Sequence, residues 1–495
     1  MGGENVTATQ QEVRWIGEGS ARRKSMLPWI KDEVIYYAHQ TEGIRKLARM
    51  KSFILGDEMG LGKSLQALSV FAIDIELKRG DTALVVCPLS LKDNWLDEVE
   101  KYTGGIFAMK LNGTPAKRLE QIEFWKSVDQ PKILVINYKQ VVSHFDILNS
   151  IGFHLVIFDE AHTIKNPKAQ VTKCCLKLRA TRSFMLTGTP LLNRVNELWA
   201  PLNRIDPVKF KSFWNFTHRF CVYGGYGGHE IIGTKNEQEL KNILAQVMVR
   251  RLKKDVLDLP SVQVIERRVR LLPEQRKLYD QVEKELMLEI NGEESELDNA
   301  LTKMLRLKQI CGTTLPFTGE DKSSKLDMAV EENVELVDSG NHVVIFTQFR
   351  DVQAACAARL EDAGVKVYLL NGDVPGSDRV KVVKAWESDK PCAIVCMLQV
   401  AGVGLNMTKA RHVTMLDKLY VPGLNQQAID RLHRIGASTT QSIQVFDYYC
   451  IGTVESRVNQ ILKIKTQLGQ DIIEGVQDSV DFRKKLIAAA MERGE

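Results

Sequence analysis

The chain has 495 residues, of which 44% are hydrophobic and 26% are charged. This length is too great for one ordinary core and predicts two or three domains of roughly 150 to 250 residues, while the composition excludes a disordered or fibrous protein. The 67 basic side chains exceed the 62 acidic ones only slightly, so charge alone is weak evidence for a polyanionic partner.

Neither a membrane span nor a secretory signal is predicted. No stretch reaches the roughly 18 uncharged apolar residues that a span requires, and residues 1–30 lack the apolar block of a signal peptide. The nine cysteines form no CxxC pair and no Cys/His set at zinc spacing. We therefore expect reduced, buried thiols and a protein that acts inside a cell.

The N-terminal half begins with a polar, glycine-containing segment, residues 1–30, which is predicted to be a loose extension. From about residue 52, short β-branched runs alternate with helix-length segments. This alternation predicts strands buried on both faces of a parallel sheet. The predicted strands are 52–55, 83–87, 133–136, 155–158 and 184–187.

A second series of short apolar runs begins near residue 342 and predicts a second α/β domain. Its predicted strands are 342–346, 366–370, 393–396, 412–416 and 442–446. The residues between the two series lack this alternation, and helix formers at 274–290 and 297–310 predict helical insertions there. The glycine-rich run 223–228 is predicted to be a loop within them.

The first predicted strand runs directly into a glycine-containing loop, residues 56–64, that a helix follows. Gly60 and Gly62 would let backbone N–H groups point at phosphate oxygens. Lys63 would neutralise the outer phosphates, and the Ser64 hydroxyl could ligate Mg²⁺. We call residues 56–64 the phosphate loop. Taken alone, an ordinary glycine turn before a helix is the alternative, because the strict pattern has glycine where Asp57 stands.

Two adjacent carboxylates, Asp159 and Glu160, follow the predicted strand at 155–158. Asp159 would hold Mg²⁺ through water, and Glu160 would orient and deprotonate the water that attacks a γ-phosphate. The alternative is a helix N-terminus stabilised by acidic residues. That alternative leaves the phosphate loop unexplained.

Two further motifs are weak when taken alone. Residues 186–190 form a short polar loop whose hydroxyls could sense a γ-phosphate, or a simple turn. In the second domain, Arg431 and Arg434 are spaced one helical turn apart, which suits binding of nucleotide phosphates, although such pairs are usually surface residues. In order with the other motifs, they are interpreted as an arginine finger.

Together these motifs resemble, in order, those of superfamily-two helicase-type motors, and more narrowly those of the Swi/Snf-like ATPases. The resemblance covers roughly residues 35–465, and residues 210–221 resemble the branch that contains the annealing helicases. The segments that carry it are Gln40, 56–64, 159–162, 186–190, 250–256, 259–260, 344–349, 399–406 and 427–436.

The resemblance implies an α/β fold of two RecA-like lobes with parallel sheets and helical insertions between them. ATP and Mg²⁺ would bind the first lobe, and double-stranded DNA would lie across both. The implied domains are an N-terminal extension (1–30), lobe 1 (31–262), lobe 2 (263–470) and a C-terminal helix (471–495).

The resemblance also implies roles for single residues. The implied catalytic residues are Lys63, Asp159, Glu160, Arg431 and Arg434. The implied Mg²⁺ ligands are Ser64 and Asp159. Nucleotide binding falls to Gln40, which would read the adenine edge, and to Asp57, Glu58, Met59, Gly60, Leu61, Gly62, Lys63, Ser64 and Gln427. Contacts to DNA fall to Ser90, Lys92, Thr347, Gln348, Gly404 and Asn406.

The function expected from these residues is an ATP-hydrolysing motor that moves along duplex DNA and remodels DNA or protein–DNA complexes. A strand-separating or strand-annealing helicase acting on forked DNA is the alternative. A third possibility is a binding module that hydrolyses ATP slowly and does not move. The presence of Glu160, Arg431 and Arg434 argues against it. We expect a monomer, possible targeting by a protein partner, and a cytoplasmic location, or a nuclear one in a eukaryote.

Overall fold

The computed structural model describes residues 23–188, 195–224, 230–257, 261–290, 297–401, 407–419, 422–432, 442–460 and 462. These residues form two compact units, the first ending at residue 257 and the second beginning at residue 261. The C-terminal helix predicted for 471–495 lies outside the described residues, as does most of the predicted N-terminal extension.

The described part of that extension is ordered chain. Strand β1 (Arg23–Lys24) pairs antiparallel with β2 (Ile35–Tyr36). Leu27 and Ile30 are 3% and 5% exposed and belong to a core of the first unit. The prediction of a loose segment is therefore wrong for residues 23–30, because apolar side chains of this part pack into the core.

A seven-stranded parallel sheet organises the first unit. The remaining strands of this unit are β3 (Ser52–Leu55), β4 (Thr82–Cys87), β5 (Phe107–Lys110), β6 (Lys132–Asn137), β7 (Phe153–Asp159), β8 (Ala180–Leu186), β9 (Cys221–Gly224), β10 (Glu230–Thr234) and β11 (Met248–Val249). The sheet order is β11–β3–β8–β7–β4–β6–β5, while β9 and β10 form a separate hairpin. All five strands predicted for this unit are present, and β5 and β11 were not predicted.

Both faces of this sheet are covered by apolar cores. Phe53 and Leu55 belong to one core and Ile54 to the other, because successive strand residues point to opposite faces. Val85 and Val86 on β4 divide in the same way. Burial on both faces explains why these strands are continuous apolar runs in the sequence.

The helices of the first unit lie between and after these strands. They are α1 (Ala38–Ala48), α2 (Lys63–Glu76), α3 (Lys92–Tyr102), α4 (Pro115–Ser127), α5 (Tyr138–Ser143), α6 (Phe145–Ile151), α7 (Gln170–Lys177), α8 (Trp199–Ile205), α9 (Phe213–Phe220), α10 (Glu237–Val247) and α11 (Lys253–Val256).

Helices α8 to α10 and the β9–β10 hairpin form an insertion with its own core. Trp199, Phe210, Phe216 and Phe220 are buried in this insertion core. The predicted loop at 223–228 begins inside β9, where Tyr223 pairs with Ile231 of β10. The loop prediction is wrong at residues 223 and 224, and residues 225–229 lie outside the described residues.

The second unit is built on a six-stranded parallel sheet. Its strands are β12 (Val262–Val269), β13 (Val343–Thr347), β14 (Val367–Leu370), β15 (Ala393–Met397), β16 (His412–Met415) and β17 (Ile443–Cys450). The sheet order is β12–β17–β16–β13–β15–β14. The five predicted strands are present, and β12 was not predicted.

Two apolar cores also cover this second sheet, since Val344 and Phe346 belong to one and Val343 and Ile345 to the other. The helices are α12 (Pro273–Ile290), α13 (Leu297–Gly312), α14 (Leu315–Thr318), α15 (Ser324–Asp338), α16 (Arg350–Asp362), α17 (Gly376–Ser388), α18 (Leu398–Ala401) and α19 (Pro422–Ile429). Two parallel α/β units with helical insertions confirm the predicted fold class. No helix within the described ranges is both long and apolar enough to cross a membrane.

Candidate nucleotide-binding and catalytic site

The phosphate loop connects the end of β3 to the start of α2. Gly62 precedes the helix in the left-handed conformation, at φ 75° and ψ 44°, and Gly60 also has a positive φ of 85°. No side chain caps the N-terminus of α2, and its first turn holds no acidic residue. Backbone N–H groups at a helix start without a side-chain cap suit an anionic ligand such as phosphate.

Gln40 on α1 packs directly against this loop. Its side chain is 3% exposed, accepts a hydrogen bond from the Tyr37 N–H (3.0 Å) and donates one to the Leu61 carbonyl (3.3 Å). A Cβ atom at Gly62 would lie 2.3 Å from Gln40 Nε2. Gln40 therefore requires glycine at position 62, and it is positioned by the loop that is predicted to hold the phosphates.

Lys63 and the chain after β8 complete this corner of the first unit. Lys63 Nζ donates hydrogen bonds to the carbonyl oxygens of Asp57 (2.9 Å) and Glu58 (3.4 Å). Gly188 lies against the same loop, since a Cβ atom there would be 2.5 Å from Met59 Cγ and 3.6 Å from Lys63 Nζ. The polar motif at 186–190 thus borders the phosphate loop through residue 188, and residues 189 and 190 lie outside the described residues.

Asp57 has a structural role that explains its departure from the glycine of the strict pattern. The side chain is fully buried, and its carboxylate accepts hydrogen bonds from Arg251 Nε (2.9 Å), Arg251 Nη2 (2.5 Å) and Gln66 Nε2 (3.1 Å). Arg251 follows β11, the edge strand next to β3. The ion pair therefore connects the phosphate loop to the segment that follows the edge strand β11.

The neighbouring basic residues also face the phosphate loop. Arg250 Nη1 donates to the carbonyls of Gly56 (3.1 Å) and Gly188 (3.4 Å). Lys253 is 2% exposed, and its N–H donates to the Glu58 carboxylate (2.7 Å). For the basic residues at 250–254, the sequence is equally consistent with packing onto the first lobe and with contact with DNA. These contacts favour packing.

Asp159 and Glu160 lie at the end of β7. The Asp159 carboxylate accepts a hydrogen bond from the Trp95 indole (2.9 Å), and its carbonyl accepts one from the Tyr138 hydroxyl (2.7 Å). Glu160 adopts a left-handed conformation, at φ 50° and ψ 53°, which is rare for a residue with a side chain and is often found at functional sites. Its carboxylate lies 3.3 Å from His162 Nδ1.

The electrostatics of this pair suit a cation. Burial first, and then the adjacent Glu160 carboxylate, raise the pKa of Asp159 to about 7, against the opposing effects of Trp95 and Lys63. Two crowded carboxylates near a phosphate loop are oxygen ligands of the kind that Mg²⁺ prefers. Asp159 and Ser64, the first-turn hydroxyl of α2, are therefore suitable residues to hold Mg²⁺.

Three residues at this site were not identified from the sequence. Trp95 and Tyr138 orient Asp159, and Arg251 was considered only as part of a basic cluster. A buried aromatic residue with a polar tip is common in cores, so the sequence holds no signal that separates Trp95 from any other core tryptophan. The structural pairing of Arg251 could have been suspected from Asp57, an acidic residue at a position where glycine is expected.

The predicted DNA contacts of the first unit differ in accessibility. Lys92 is 2% exposed, its ammonium donates to the Leu111 carbonyl and to Asn112 Oδ1 (3.0 Å), and burial lowers its pKa to about 8. These contacts argue against a direct contact between Lys92 and DNA. Ser90 lies in a short 3-10 turn, Leu89–Leu91, and is partly exposed.

Thr347 and Gln348 are held together at the end of β13. Asp417 accepts hydrogen bonds from the Thr347 hydroxyl (2.5 Å) and the Gln348 N–H (2.9 Å), and Gln348 Nε2 donates to the Lys418 carbonyl (3.0 Å). Thr347 is fully buried, whereas Gln348 is partly exposed. Thr347 therefore supports the loop, and Gln348 is the better candidate for contact with a ligand.

The arginine motif of the second unit is only partly described. Helix α19 ends at Ile429, so Arg431 lies in the turn after it, and its placement on a helix is a wrong prediction. Arg431 is 3% and Gln427 is 4% exposed. Within the described ranges, the buried Gln427 Nε2 has no hydrogen-bond partner. Arg434, Gly404 and Asn406 lie outside the described residues.

Two parallel-sheet units, a phosphate loop and a carboxylate pair define a helicase-type ATPase. Residues 23–314 match the family model of the SNF2-related domain, and residues 324–436 match that of the helicase conserved C-terminal domain. The first match covers more than half of the chain, which therefore belongs to the SNF2-related family. These matches confirm the resemblance to Swi/Snf-like ATPases and, with it, the use of ATP.

Similar curated proteins include an uncharacterized ATP-dependent helicase of Mycoplasma pneumoniae, 29% identical over 88% of this chain and 42% of that protein. The DNA annealing helicase and endonuclease ZRANB3 of Mus musculus is 26% identical over 92% of this chain and 42% of that protein. The chain thus spans about two fifths of the length of these relatives. A solved Sulfolobus solfataricus SWI2/SNF2 ATPase core in complex with dsDNA is 26% identical, with a TM-score of 0.44, over 93% of this chain and 98% of that chain.

Proposed function

We propose that the chain is an ATP-dependent motor that moves along double-stranded DNA and remodels DNA or protein–DNA complexes. The observation that carries the nucleotide part is the phosphate loop, where a helix start without a side-chain cap, Lys63 and the Asp159–Glu160 pair converge. Duplex DNA as the track is supported by the insertions, since helical surface beyond two minimal lobes can hold a second strand. Base pairs need not break in such a motor, which avoids a stacking cost of about 1.4 kcal/mol per step.

Each nucleotide-site residue has a distinct role in this proposal. Gln40 contacts the adenine, and the phosphate loop binds the phosphates through its backbone and Lys63. Ser64 and Asp159 hold Mg²⁺, which when bound neutralises charge on the phosphate oxygens. Glu160 orients the attacking water and accepts its proton. The second-lobe residues Gln427, Arg431 and Arg434 bind nucleotide and stabilise negative charge in the transition state.

Contact with DNA is proposed to be directed mainly at its backbone. Ser90, Gln348, Gly404 and Asn406 offer a hydroxyl, amides and backbone N–H groups, which bind phosphates without reading sequence. Lys92 and Thr347 support these contacts and do not touch DNA themselves, because both side chains are buried and hydrogen-bonded within their own units. The sequence preference of binding should therefore be slight.

A strand-annealing or strand-separating activity on forked DNA is the second candidate. The observation that favours it is the similarity to ZRANB3, whose name describes an annealing helicase and endonuclease. The catalytic residues are the same for both candidates, so they differ in the DNA that stimulates hydrolysis. For the domain organisation, we propose two lobes that divide between residues 257 and 261, with residues 23–30 part of the first lobe. We also propose a monomer that a partner protein can direct.

The test is the rate of ATP hydrolysis in five matched reactions, with no nucleic acid, single-stranded DNA, blunt duplex DNA, forked DNA and single-stranded RNA. Glu160→Gln protein provides the background, because it lacks the group that activates water. We expect blunt duplex to stimulate more than single strands or RNA. Stimulation by forked DNA far above that by duplex would favour the second candidate, and equal rates in all five reactions would contradict both.

A further inference from the structure

We propose that a row of surface aromatic rings on the insertion of the first unit binds the unpaired bases of DNA. The row consists of Trp214 and His218 on α9 and Tyr223 on β9, and we call it the ring row. This inference rests on the proposed function, because it takes DNA to be the track, and it adds a site and a preferred DNA structure.

The three rings follow one another at regular spacing. The ring centroids of Trp214 and His218 are 5.5 Å apart with 26° between the planes, and those of His218 and Tyr223 are 5.5 Å apart at 44°. Trp214 and His218 are four residues apart and thus lie on one face of α9. The hairpin adds Tyr223 to the end of the same row.

The two rings of the row on α9 are not part of the core of the insertion, whereas Tyr223 packs against the edge of that core. Helix α9 buries Phe216 and Phe220 in the insertion core, at 3% and 1% exposure, whereas Trp214 is 61% exposed. A large aromatic side chain that is exposed opposite the buried face of the same helix is typical of a binding surface.

The charge around the ring row suits a polyanion. Residues 207–224 include Lys209, Lys211 and Arg219 and no aspartate or glutamate. Arg219 is paired with Glu239. Lys209 and Lys211 have no ion-pair partner within the described ranges, and Lys209 Nζ lies 5.6 Å from the centre of the Phe210 ring. Two lysines that precede the ring row in sequence are thus available to bind phosphates.

Aromatic rings beside basic side chains are the arrangement that proteins use to bind single strands without sequence preference. Each base can stack on a ring, and lysines follow the backbone. The bases of an intact duplex are already stacked on one another, so their faces are not available to Trp214. A ring row therefore favours single-stranded tails, forks or the displaced strand of a junction over a blunt duplex.

The experiment measures DNA affinity by fluorescence anisotropy for wild-type protein and the Trp214→Ala variant. The probes are a blunt duplex, the same duplex with a single-stranded thymine tail, and a thymine single strand, all at one salt concentration. We expect Trp214→Ala to bind the tailed and single-stranded probes about fivefold or more weakly, which corresponds to the loss of about 1 kcal/mol of stacking. Affinity for the blunt duplex should not change, and Trp214→Phe should keep most of the affinity for the tail.

The matched control is Phe124→Ala. Phe124 is 58% exposed on α4 of the same unit, beside the acidic Glu120 and Glu123, and its removal should leave binding to all three probes unchanged. Equal weakening on all probes would overturn the proposal, since it would indicate a general loss of DNA binding. Unchanged affinity of Trp214→Ala for every probe would also overturn it, and would assign the ring row to another partner.

Failure of the proposed function would give a different result. It would appear as the absence of ATPase stimulation by blunt duplex in wild-type protein, whatever Trp214→Ala does to the tailed probe. Duplex-stimulated hydrolysis together with a Trp214→Ala variant that binds tails normally would contradict only the ring row.

Discussion

Lys63 and Glu160 act on the same nucleotide for different reasons, so their variants should fail differently. We expect Lys63→Ala and Glu160→Gln both to abolish hydrolysis. Lys63→Ala removes the charge that holds the outer phosphates, whereas Glu160→Gln keeps the phosphate loop and loses only the group that activates water. Equilibrium binding of ATP checks this, because Glu160→Gln should bind ATP and Lys63→Ala should not. Equally weak binding by the two variants would contradict the assigned roles.

Trp95 is expected to influence hydrolysis through Asp159. Trp95→Phe keeps an aromatic ring but removes the indole N–H that donates to the Asp159 carboxylate. A hydrogen bond to a charged group contributes about 1.5–3 kcal/mol, so turnover should fall by about tenfold or more while ATP binding persists.

The control for this variant is Trp125→Phe. Trp125 is 1% exposed in the same unit, and its indole N–H has no hydrogen-bond partner within the described ranges. Steady-state rates and thermal unfolding should be measured for both variants. Trp95→Phe should lose turnover at a stability similar to that of Trp125→Phe. Equal turnover in the two variants would show that Trp95 only fills space.

Arg251 is expected to matter for ATP and not for DNA. Arg251→Ala leaves the buried Asp57 carboxylate without its ion pair, and such a loss costs about 3–5 kcal/mol. Because Asp57 begins the phosphate loop, we expect ATP affinity to fall by at least about tenfold. The exposed Lys254→Ala variant serves as the control and should bind ATP normally. This role would be contradicted if Arg251→Ala kept its ATP affinity and instead lowered the slope of log DNA affinity against log salt concentration by about one.

At the scale of elements, a buried ion-pair network joins four parts of the first unit. Asp74 of α2 is fully buried and accepts hydrogen bonds from Arg182 Nη1 of β8 (2.6 Å) and His154 Nε2 of β7 (2.9 Å). Arg182 Nη2 donates in turn to the carbonyls of Leu47 (2.6 Å) and Met50 (2.7 Å) at the end of α1. Asp74→Asn should therefore lower the free energy of unfolding by about 3–5 kcal/mol.

The effect of Asp74→Asn should depend on pH in a defined direction. Burial alone raises the pKa of Asp74, but His154 and Arg182 together hold it below its usual value. The stabilisation is present above the unfolded pKa of about 3.9 and is lost as the pH falls through the lower folded pKa. Urea unfolding at several pH values checks this. Asp93→Asn, whose partner Lys110 is partly exposed, should cost less than about 1 kcal/mol, and an equal loss in both variants would contradict the account.

The strands that the sequence predicted and those that it missed differ in burial. Strands β3 and β13 are short apolar runs with buried residues on both faces, so the pattern alone identifies them. Strand β12 lies at a sheet edge and includes exposed polar residues, and β11 has only two residues. Such strands contribute little to a core and lack a clear apolar signal. Strand β14 is also at a sheet edge, but it was predicted because all four of its residues are apolar.

For the whole molecule, the sequence predicted the positions of the site motifs in the fold better than it predicted the residues that support them. Lys63 and Asp159 belong to motifs that must follow strands, and both do. Trp95 lies 64 residues from Asp159 in sequence, and Arg251 lies 194 residues from Asp57. Such contacts are set by tertiary packing, so local patterns cannot reveal them.

The central claim is that ATP hydrolysis moves this chain along duplex DNA without separating its strands. The most direct measurement is displacement of a labelled third strand from a DNA triplex, run beside unwinding of a blunt duplex of the same length. With ATP, we expect wild-type protein to release the third strand and leave the blunt duplex intact, and we expect Glu160→Gln to do neither. Efficient ATP-dependent separation of the blunt duplex, with hydrolysis stimulated by single strands alone, would contradict the claim in favour of a strand-separating helicase.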